Sequence, residues 1–346
     1  MAEPVNAQIA DAFTARLLQV GRAETHQRHE VWGILALLES DLLHALREAD
    51  PAQFSFLVAR RRAVHFLIRE EVDPLVMTRY VQIARDVDAF LVALAAQEAM
   101  VTRRIVNTAT ATETIEETPS DTALRRAVRQ TLIPSPASPT DLSTTGEDWW
   151  GRAAVGLVTR VGDSLMVGVS LEEPLPALVA RVQGTAANGY ADGIMTKAKE
   201  DAARLLRTQT TNAVSEARVK VADVNASEVL IEHSSVLDSH TSHLCLGRHG
   251  LRYTVPDHEP VDHAVPYLGG PPYHPGCRSE MIPVVPGGGR VPQQTVSQWL
   301  SRRDTAYQDA VLGPTRARMF RAGTLTPKQL IDAATGKPLT LEELGA

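Results

Sequence analysis

Apolar residues recur at three- and four-residue steps over most of the first hundred positions, the period of helices with one face turned to a core. Ile9, Phe13, Leu17 and Val20 line one face of a first helix, and Leu35, Leu38, Leu42 and Leu46 form a second stripe. Asp50-Pro51 and Asp73-Pro74 each read as a helix start. There an Asp caps free N–H groups, and Pro takes the first helical position, where its missing donor costs nothing. Between them Phe54, Leu57, Val58, Val64, Leu67 and Ile68 predict a wide apolar face. After Pro74 the stripe continues through Val81, Ile83, Val87, Phe90, Leu91 and Leu94. Residues 1–107 are expected to be a helical N-terminal region.

The pattern lapses over 108–148, which is rich in Thr, Ser, Pro and Glu and reads as a flexible tether. One amphipathic insert interrupts it, with Asp121 as cap and Leu124, Val128 and Leu132 at four-residue spacing. Such a helix either docks a partner or packs back on its own chain. Helices resume at Trp149, with Val155, Val158, Val161, Leu165, Val167 and Val169, and break at Glu173-Pro174 and Pro176. Residues 198–221 predict the clearest helix, with Leu205, Leu206, Ala213, Val214 and Ala217 inward. Arg207, Asn212 and Arg218 on the same helix are placed to brace the motif region on its C-terminal side. Val229-Leu230-Ile231, running on through Ser234 and Val236, predicts a strand. Residues 235–285 are dense in Gly and Pro and read as turns and short strands. A helix over 294–312 is anchored by Trp299-Leu300, and Thr326-Pro327 caps a last short helix that Gly336 stops. Leucines at 339–344 are expected to dock. The fold class is mainly α with a small α+β C-terminal module over 149–346, joined to the N-terminal helices by the Thr/Ser/Pro-rich tether.

Composition narrows the function classes. The 346 residues are 44% apolar, 22% charged and 5% aromatic, as in a soluble globular protein with a core of Leu, Val and Ala. No uninterrupted apolar run nears the ~20 residues of a membrane span. The start, MAEPVNAQIADAF, lacks the basic n-region of a secretory signal. A net charge of -6 argues against broad adhesion to nucleic acid, and Arg60-Arg61-Arg62 reads as a solvated helix face rather than a phosphate site. Gly287-Gly288-Gly289 lacks the Lys-Ser/Thr of a phosphate loop, and no GxGxxG opens a helix, so nucleotide binding is not expected.

Residues 235–285 hold both cysteines and six of the eleven histidines. Two residues separate His274 from Cys277, so one loop can aim an imidazole and a thiolate at one point. Cys245 offers a third soft ligand across a hairpin-sized excursion, with Asp238, His240, His243 and His249 as candidates for the fourth. One reading is a structural Zn²⁺ that staples a loop-rich module too small to close by apolar burial alone. The other is a metal-free motif with half-buried thiols and His274 bonded to backbone. Two cysteines in so long a chain fit a reducing compartment, with thiols free or on metal. A catalytic metal needs an open position and a general base. The paired His and the downstream Asn and His of an HNH-type nuclease do not appear after Cys277, so no catalytic residue is assigned. Asp238 and Arg278 read as an ion pair joining the motif halves, with Arg207 able to serve similarly, and His258 and His263 as plain surface residues.

Three blocks resemble the phage Mu protein F-like minor head proteins, the phage head morphogenesis family. The first is Ala203-Arg204-Leu205-Leu206-Arg207-Thr208-Gln209, where the family shows Arg-Thr-Glu on a helix and Gln209 replaces the acid. The second runs from Asp238 through Thr241 and Cys245 to Gly250, then through 271–278 with Pro272, His274, Cys277 and Arg278. It is similar to the family's Asp-x-Arg-Thr-Cys/Ser-x-x-Cys…Gly and its later Pro-Pro-x-His-Pro-x-Cys-Arg. The third is Gln298-Trp299-Leu300 through Val311-Leu312-Gly313, Arg316, Arg321-Ala322-Gly323 and 339–344. His240 stands where the family usually has Arg, and Ser242 where some members have a first Cys. One ligand of four is thus missing unless Asp238, His240 or His243 substitutes. The resemblance implies a low-copy structural protein of the tailed-phage head, assembled in the host cytoplasm and residing in the virion near the portal, inside the shell. Its partners would be the portal protein and the major capsid or scaffolding protein, with packaged DNA nearby but no DNA-binding motif, and no membrane. A disulfide between Cys245 and Cys277 is a further arrangement inside a mature particle. The alternative is a metal-dependent nuclease or hydrolase, or a toxin-type effector carried in the head.

Overall fold

The computed structural model describes residues 3–130, 145–274, 276–289 and 295–345. It is mainly helical, with a small antiparallel sheet in the C-terminal part. In chain order the first helices are α1 (Val5–Ala49), α2 (Leu57–Leu67), α3 (Asp73–Thr110), α4 (Asp121–Gln130), α5 (Gly146–Ser170), α6 (Leu175–Gln183) and α7 (Ile194–Val224). Strand β1 (Leu230–Ser234), α8 (His243–Arg248), β2 (Arg252–Tyr253), β3 (Pro260–Val261) and β4 (Glu280–Val284) come next. Helices α9 (Val296–Ser301), α10 (Thr305–Leu312) and α11 (Pro314–Arg321) come last.

Several local expectations are corrected. The first two apolar stripes lie on one 45-residue helix. No Pro falls between them, and Val31, also buried, carries the stripe across. Asp50 does not cap: its φ is +29°, its side chain accepts no capping bond, and Pro51–Gln53 form one 3-10 turn before α2 begins. Asp73-Pro74 does not start a separate helix. A π-helical turn at Ile68–Val72 joins α2 to α3, and the Asp73 N–H donates to the Ile68 carbonyl. The widened turn comes where Pro74 removes a donor, so helical direction survives a residue that ordinarily breaks it. The apolar face around α2 is narrower than its composition suggests. Val64 and Leu67 are buried, whereas Phe54, Leu57 and Val58 are exposed, as is Val81 on α3. In α5, Val155 and Val167 are likewise exposed, while Ala154, Leu157, Val161, Leu165 and Val169 form the buried face. The stretch Asp148–Ser170 is long and apolar enough to cross a membrane by length and composition, although Arg152, Arg160 and Asp163 interrupt it. The helix expected over 294–312 is two: Thr295 and Gln298 form a capping box for α9, and Asp304 starts α10 by accepting from the Tyr307 N–H. Gln294 lies outside the described residues.

The chain forms two compact units, Gly21–Phe90 with Thr144–Arg207, and Met1–Val20 with Leu91–Ser143 and Thr208–Ala346. The linear partition at 107 and 148 is therefore not the one the fold adopts, because α1, α3 and α7 each contribute residues to both units. The described half of the expected tether is anchored. Ile115 is fully buried, and the Asn107 side chain donates to its carbonyl and accepts from its N–H. Asn225 Oδ1 accepts from the Glu116 and Glu117 N–H groups. Leu124 and Val128 of α4 are buried, while Leu132 lies outside the described residues.

In the unit containing residues 208–346, the described strands have the order β3-β2-β1-β4, all antiparallel. Asn6, at the start of α1, accepts from the Val285 N–H and donates to the Val285 and Gly289 carbonyls, tying the first turn of the chain to the end of β4. A buried charge network braces the sheet from the helices. Glu98 on α3 accepts from Arg16 and from Arg218, each at 2.8 Å, and Arg218 also pairs with Glu280 on β4. The Arg218 guanidinium lies 4.2 Å from the centre of the Phe13 ring, so its flat face meets a π surface rather than an unpaired dipole.

Candidate metal centre

Strand pairing explains why the two halves of the motif meet. Ser234 at the end of β1 pairs with Glu280 at the start of β4. The segment leaving β1 and the segment entering β4 therefore emerge at the same edge of the sheet. Ser235 and Ser279, one residue further out on each side, join their hydroxyls at 3.0 Å. Beyond Ser235 the chain makes a tight Asx turn. Asp238 Oδ1 accepts from the His240 N–H at 2.9 Å, the Asp238 N–H donates to Thr241 Oγ1, and the Thr241 hydroxyl donates to the Val236 carbonyl. Ser242 then caps α8 by accepting from the Cys245 N–H, which sets Cys245 on the first turn of that helix. On the other side, the Cys277 N–H donates back to the His274 carbonyl at 3.0 Å, closing the loop that carries both side chains. Helix α7 holds this loop down: Thr208 Oγ1 accepts from the Gly276 N–H, and the Thr211 hydroxyl donates to the Cys277 carbonyl. Pro275 lies outside the described residues.

The result is a compact donor set. Cys245 Sγ lies 3.3 Å from His274 Nε2 and 3.7 Å from Cys277 Sγ. The three donor atoms all fall within 4.8 Å of one another, with both cysteines buried and His274 half-buried. A tetrahedral ion bonded to sulfur at about 2.3 Å and to nitrogen at about 2.0–2.1 Å spaces its donors about 3.4–3.8 Å apart. Cys245, His274 and Cys277 thus fit a metal of that kind, and among the described residues they are the one cluster of three such donors. Without an ion, the hydrogen bond from Cys245 and the nearby His274 hold the Cys277 thiol well below its ordinary range. The same contact and burial push the Cys245 thiol up.

Of the four candidates for a fourth ligand, three are otherwise engaged and His240 lies outside the donor cluster. Asp238 is not a ligand: both its oxygens receive Arg278, at 2.6 Å each, and that bidentate pair holds its carboxyl down at about 2. His243 turns to the backbone of Val311 and Leu312, and burial lowers its pKa. His249 Nδ1 accepts from the Ser235 N–H at 3.0 Å, and burial lowers its pKa to about 4. His240 is exposed and lines a small cavity of about 10 Å³ with Ser242, Cys245, His274 and Arg278, but its ring nitrogens lie outside the donor cluster. Ser242 Oγ is 3.0 Å from His274 Nε2.

The remaining sequence-predicted residues divide. Thr208 and Thr241 position the motif, one from α7 and the other from the Asx turn. Gly250 occupies φ +80°, a left-handed turn in which its N–H donates to the His233 carbonyl. Pro272 is buried beside Tyr273, which packs with Cys245 and Cys277. Trp299 is not at the site. It centres a separate cluster with Leu300, Leu312, Leu325 and Leu330, against which Leu344 packs. Leu246 belongs to that cluster while its neighbour Cys245 faces the donors, so α8 serves both. Arg207 does not brace the motif: it pairs with Glu24 at 3.4 Å and is about half exposed. His258 and His263 are not plain surface residues. His258 pairs with Asp223 and stacks on Tyr267 at 4.3 Å, and His263 sits edge-on to Tyr253. Composition gave no sign of Arg248, fully buried and donating to the Gly336 and Pro266 carbonyls and to the Tyr253 hydroxyl.

The Asp238–Arg278 pair makes a pH prediction. The carboxyl is held at about 2 in the folded chain against 3.8 ordinarily, so its contribution is complete above 3.8 and disappears as the pH falls toward 2. Comparing thermal midpoints from pH 7 downward, Asp238→Asn is expected to be less stable at neutral pH and to converge on the native chain over that window. A constant gap across it would contradict the pairing. Compared with protein-family models, curated proteins and solved structures, the chain matches none.

Proposed function

We propose that this chain is a structural minor head protein of a tailed bacteriophage, whose C-terminal module is stapled by a structural Zn²⁺ on Cys245, His274 and Cys277. The observation that carries the reading is that the second and third blocks of the resemblance, with Thr208 and Gln209 of the first, lie in one compact unit. Thr208 from the first holds the 271–278 loop, Asp238 and Arg278 from the second clamp its two halves, and Trp299 and Leu312 from the third share a core with α8. Between β1 and β4 the regular strands are only two residues each, and a metal would add a closure there that regular structure does not. The rigid module would present a surface to the portal, the major capsid protein or the scaffold, from the inner side of the shell near the portal vertex, after assembly in the host cytoplasm.

The catalytic alternative needs a general base beside the metal. Asp238 is committed to Arg278, and among the described residues no Asp or Glu lines the cavity. This favours the structural reading.

Incorporation into particles tests the assignment. With an epitope-tagged chain expressed during infection by the phage that encodes it, density-purified heads are expected to contain a few copies each. They should lose the protein when the Asp238–Arg278 clamp is broken by Arg278→Ala. Recovery of the chain only in the soluble fraction, with heads free of it, would reject the assignment.

A further inference from the structure

We infer that the metal position defined by Cys245, His274 and Cys277 is an open site: its fourth place is left to solvent and accepts a small monodentate anion. The inference rests on the metal-binding reading above and adds to it what the fourth position does. Three observations carry it. Three of the four side chains able to complete the set are committed elsewhere, Asp238 to Arg278, His249 to the Ser235 N–H and His243 to the backbone of α10, and the fourth, His240, is exposed with its ring nitrogens outside the donor cluster. Next, the side chain in contact with His274 beside the set is a hydroxyl. Ser242 Oγ lies 3.0 Å from His274 Nε2 and already accepts the Cys245 N–H as a helix cap, and a neutral, hydrogen-bonded hydroxyl is a poor ligand for a soft or borderline cation. Finally, the small cavity of about 10 Å³ adjoins Cys245 and His274 and is also lined by the exposed His240, so this side of the donor set faces solvent.

The walls of this cavity select the ligand. Arg278 is on the lining with its guanidinium paired to Asp238, and among the described residues no Asp or Glu is on it, so no carboxylate on the wall repels a small anion. A three-ligand set keeps an exchangeable place. The chain therefore couples a stapling metal to an occupancy that small anions in the medium can change. His240 stands at the mouth, outside the donor cluster.

The full-length chain loaded with Co²⁺ provides the test, since cobalt absorbs in the visible and reports its ligands directly. Azide is the probe. The native chain is expected to bind one cobalt and to shift its visible bands saturably as azide is added. Ser242→Cys should bring a third thiolate, raise the sulfur-to-cobalt absorption by about half, and abolish the azide shift. His240→Ala should leave both the spectrum and the azide response unchanged. A cobalt spectrum that azide does not move, or one that changes in His240→Ala, would show that protein already fills the fourth place and would overturn the inference while leaving metal binding intact. Failure to bind cobalt stoichiometrically would instead remove the metal reading, and this inference with it. The azide titration of the native chain decides the question even where Ser242→Cys does not fold.

Discussion

Arg218→Met is expected to destabilise the unit that contains the candidate metal centre by about 3–5 kcal/mol, the cost of removing one partner from a buried, hydrogen-bonded charge network. Arg218 and Glu98 are both fully inaccessible to solvent, and Glu280 nearly so. Methionine fills much of the volume and keeps contact with Phe13, so the loss is mainly that of the charge. Arg16 still compensates Glu98, but Glu280 is left without its cation. Burial already raises the Glu280 pKa, and Arg218 is what opposes that rise. A carboxyl whose folded pKa lies above its unfolded value adds stability at low pH and loses it as the pH climbs through the folded value. The deficit of Arg218→Met should accordingly shrink as the pH is lowered from 7 toward 5, read by urea unfolding at each pH. By contrast Arg207→Ala, which removes a half-exposed pair, should cost about 0–1 kcal/mol. Equal losses for the two variants would mean that the network does not brace the sheet.

Metal removal should have the second large effect. With free Zn²⁺ about a thousandfold above its dissociation constant, binding to the folded form alone adds about 4 kcal/mol, and a chelator should withdraw that amount. Cys277→Ser should match the chelated native chain and show no further response to chelator. The loss is expected to be local. Hydrogen exchange should accelerate over 235–250 and 270–285, while the unit formed by Gly21–Phe90 and Thr144–Arg207 keeps its protection. Identical exchange and unfolding with and without chelator would leave the motif held by hydrogen bonds and packing alone.

How much of the fold and the site is legible in the sequence depends on whether the signal is local. Helical stripes are readable because burial tracks the 3.6-residue period, and the predicted inward positions of α7, Leu205, Leu206, Ala213, Val214 and Ala217, are all buried. The spacing of His274 and Cys277 and the opposite charges of Asp238 and Arg278 are also enough to propose partners that the fold brings together. Errors arise where tertiary context or backbone detail decides. Asp50-Pro51 has the residues of a helix start but a backbone that cannot use them. Asp73-Pro74 is absorbed by a π turn that no propensity announces. Arg207 and Thr208 are neighbours in sequence but point about 100° apart around a helix, so one meets Glu24 and the other the Gly276 amide. The choice of fourth ligand is illegible for the same reason. The engagement of His249 depends on the Ser235 amide and that of His243 on the backbone of α10, contacts between segments that only the tertiary fold brings together.

The most direct test of the metal staple is zinc K-edge X-ray absorption, with metal content measured on the same sample of the full-length chain purified without chelator. The account predicts one zinc per chain, with two sulfurs at about 2.3 Å and two lighter ligands, one of them the His274 imidazole, at about 2.0–2.1 Å. Substoichiometric metal, or a first shell without sulfur, would contradict it.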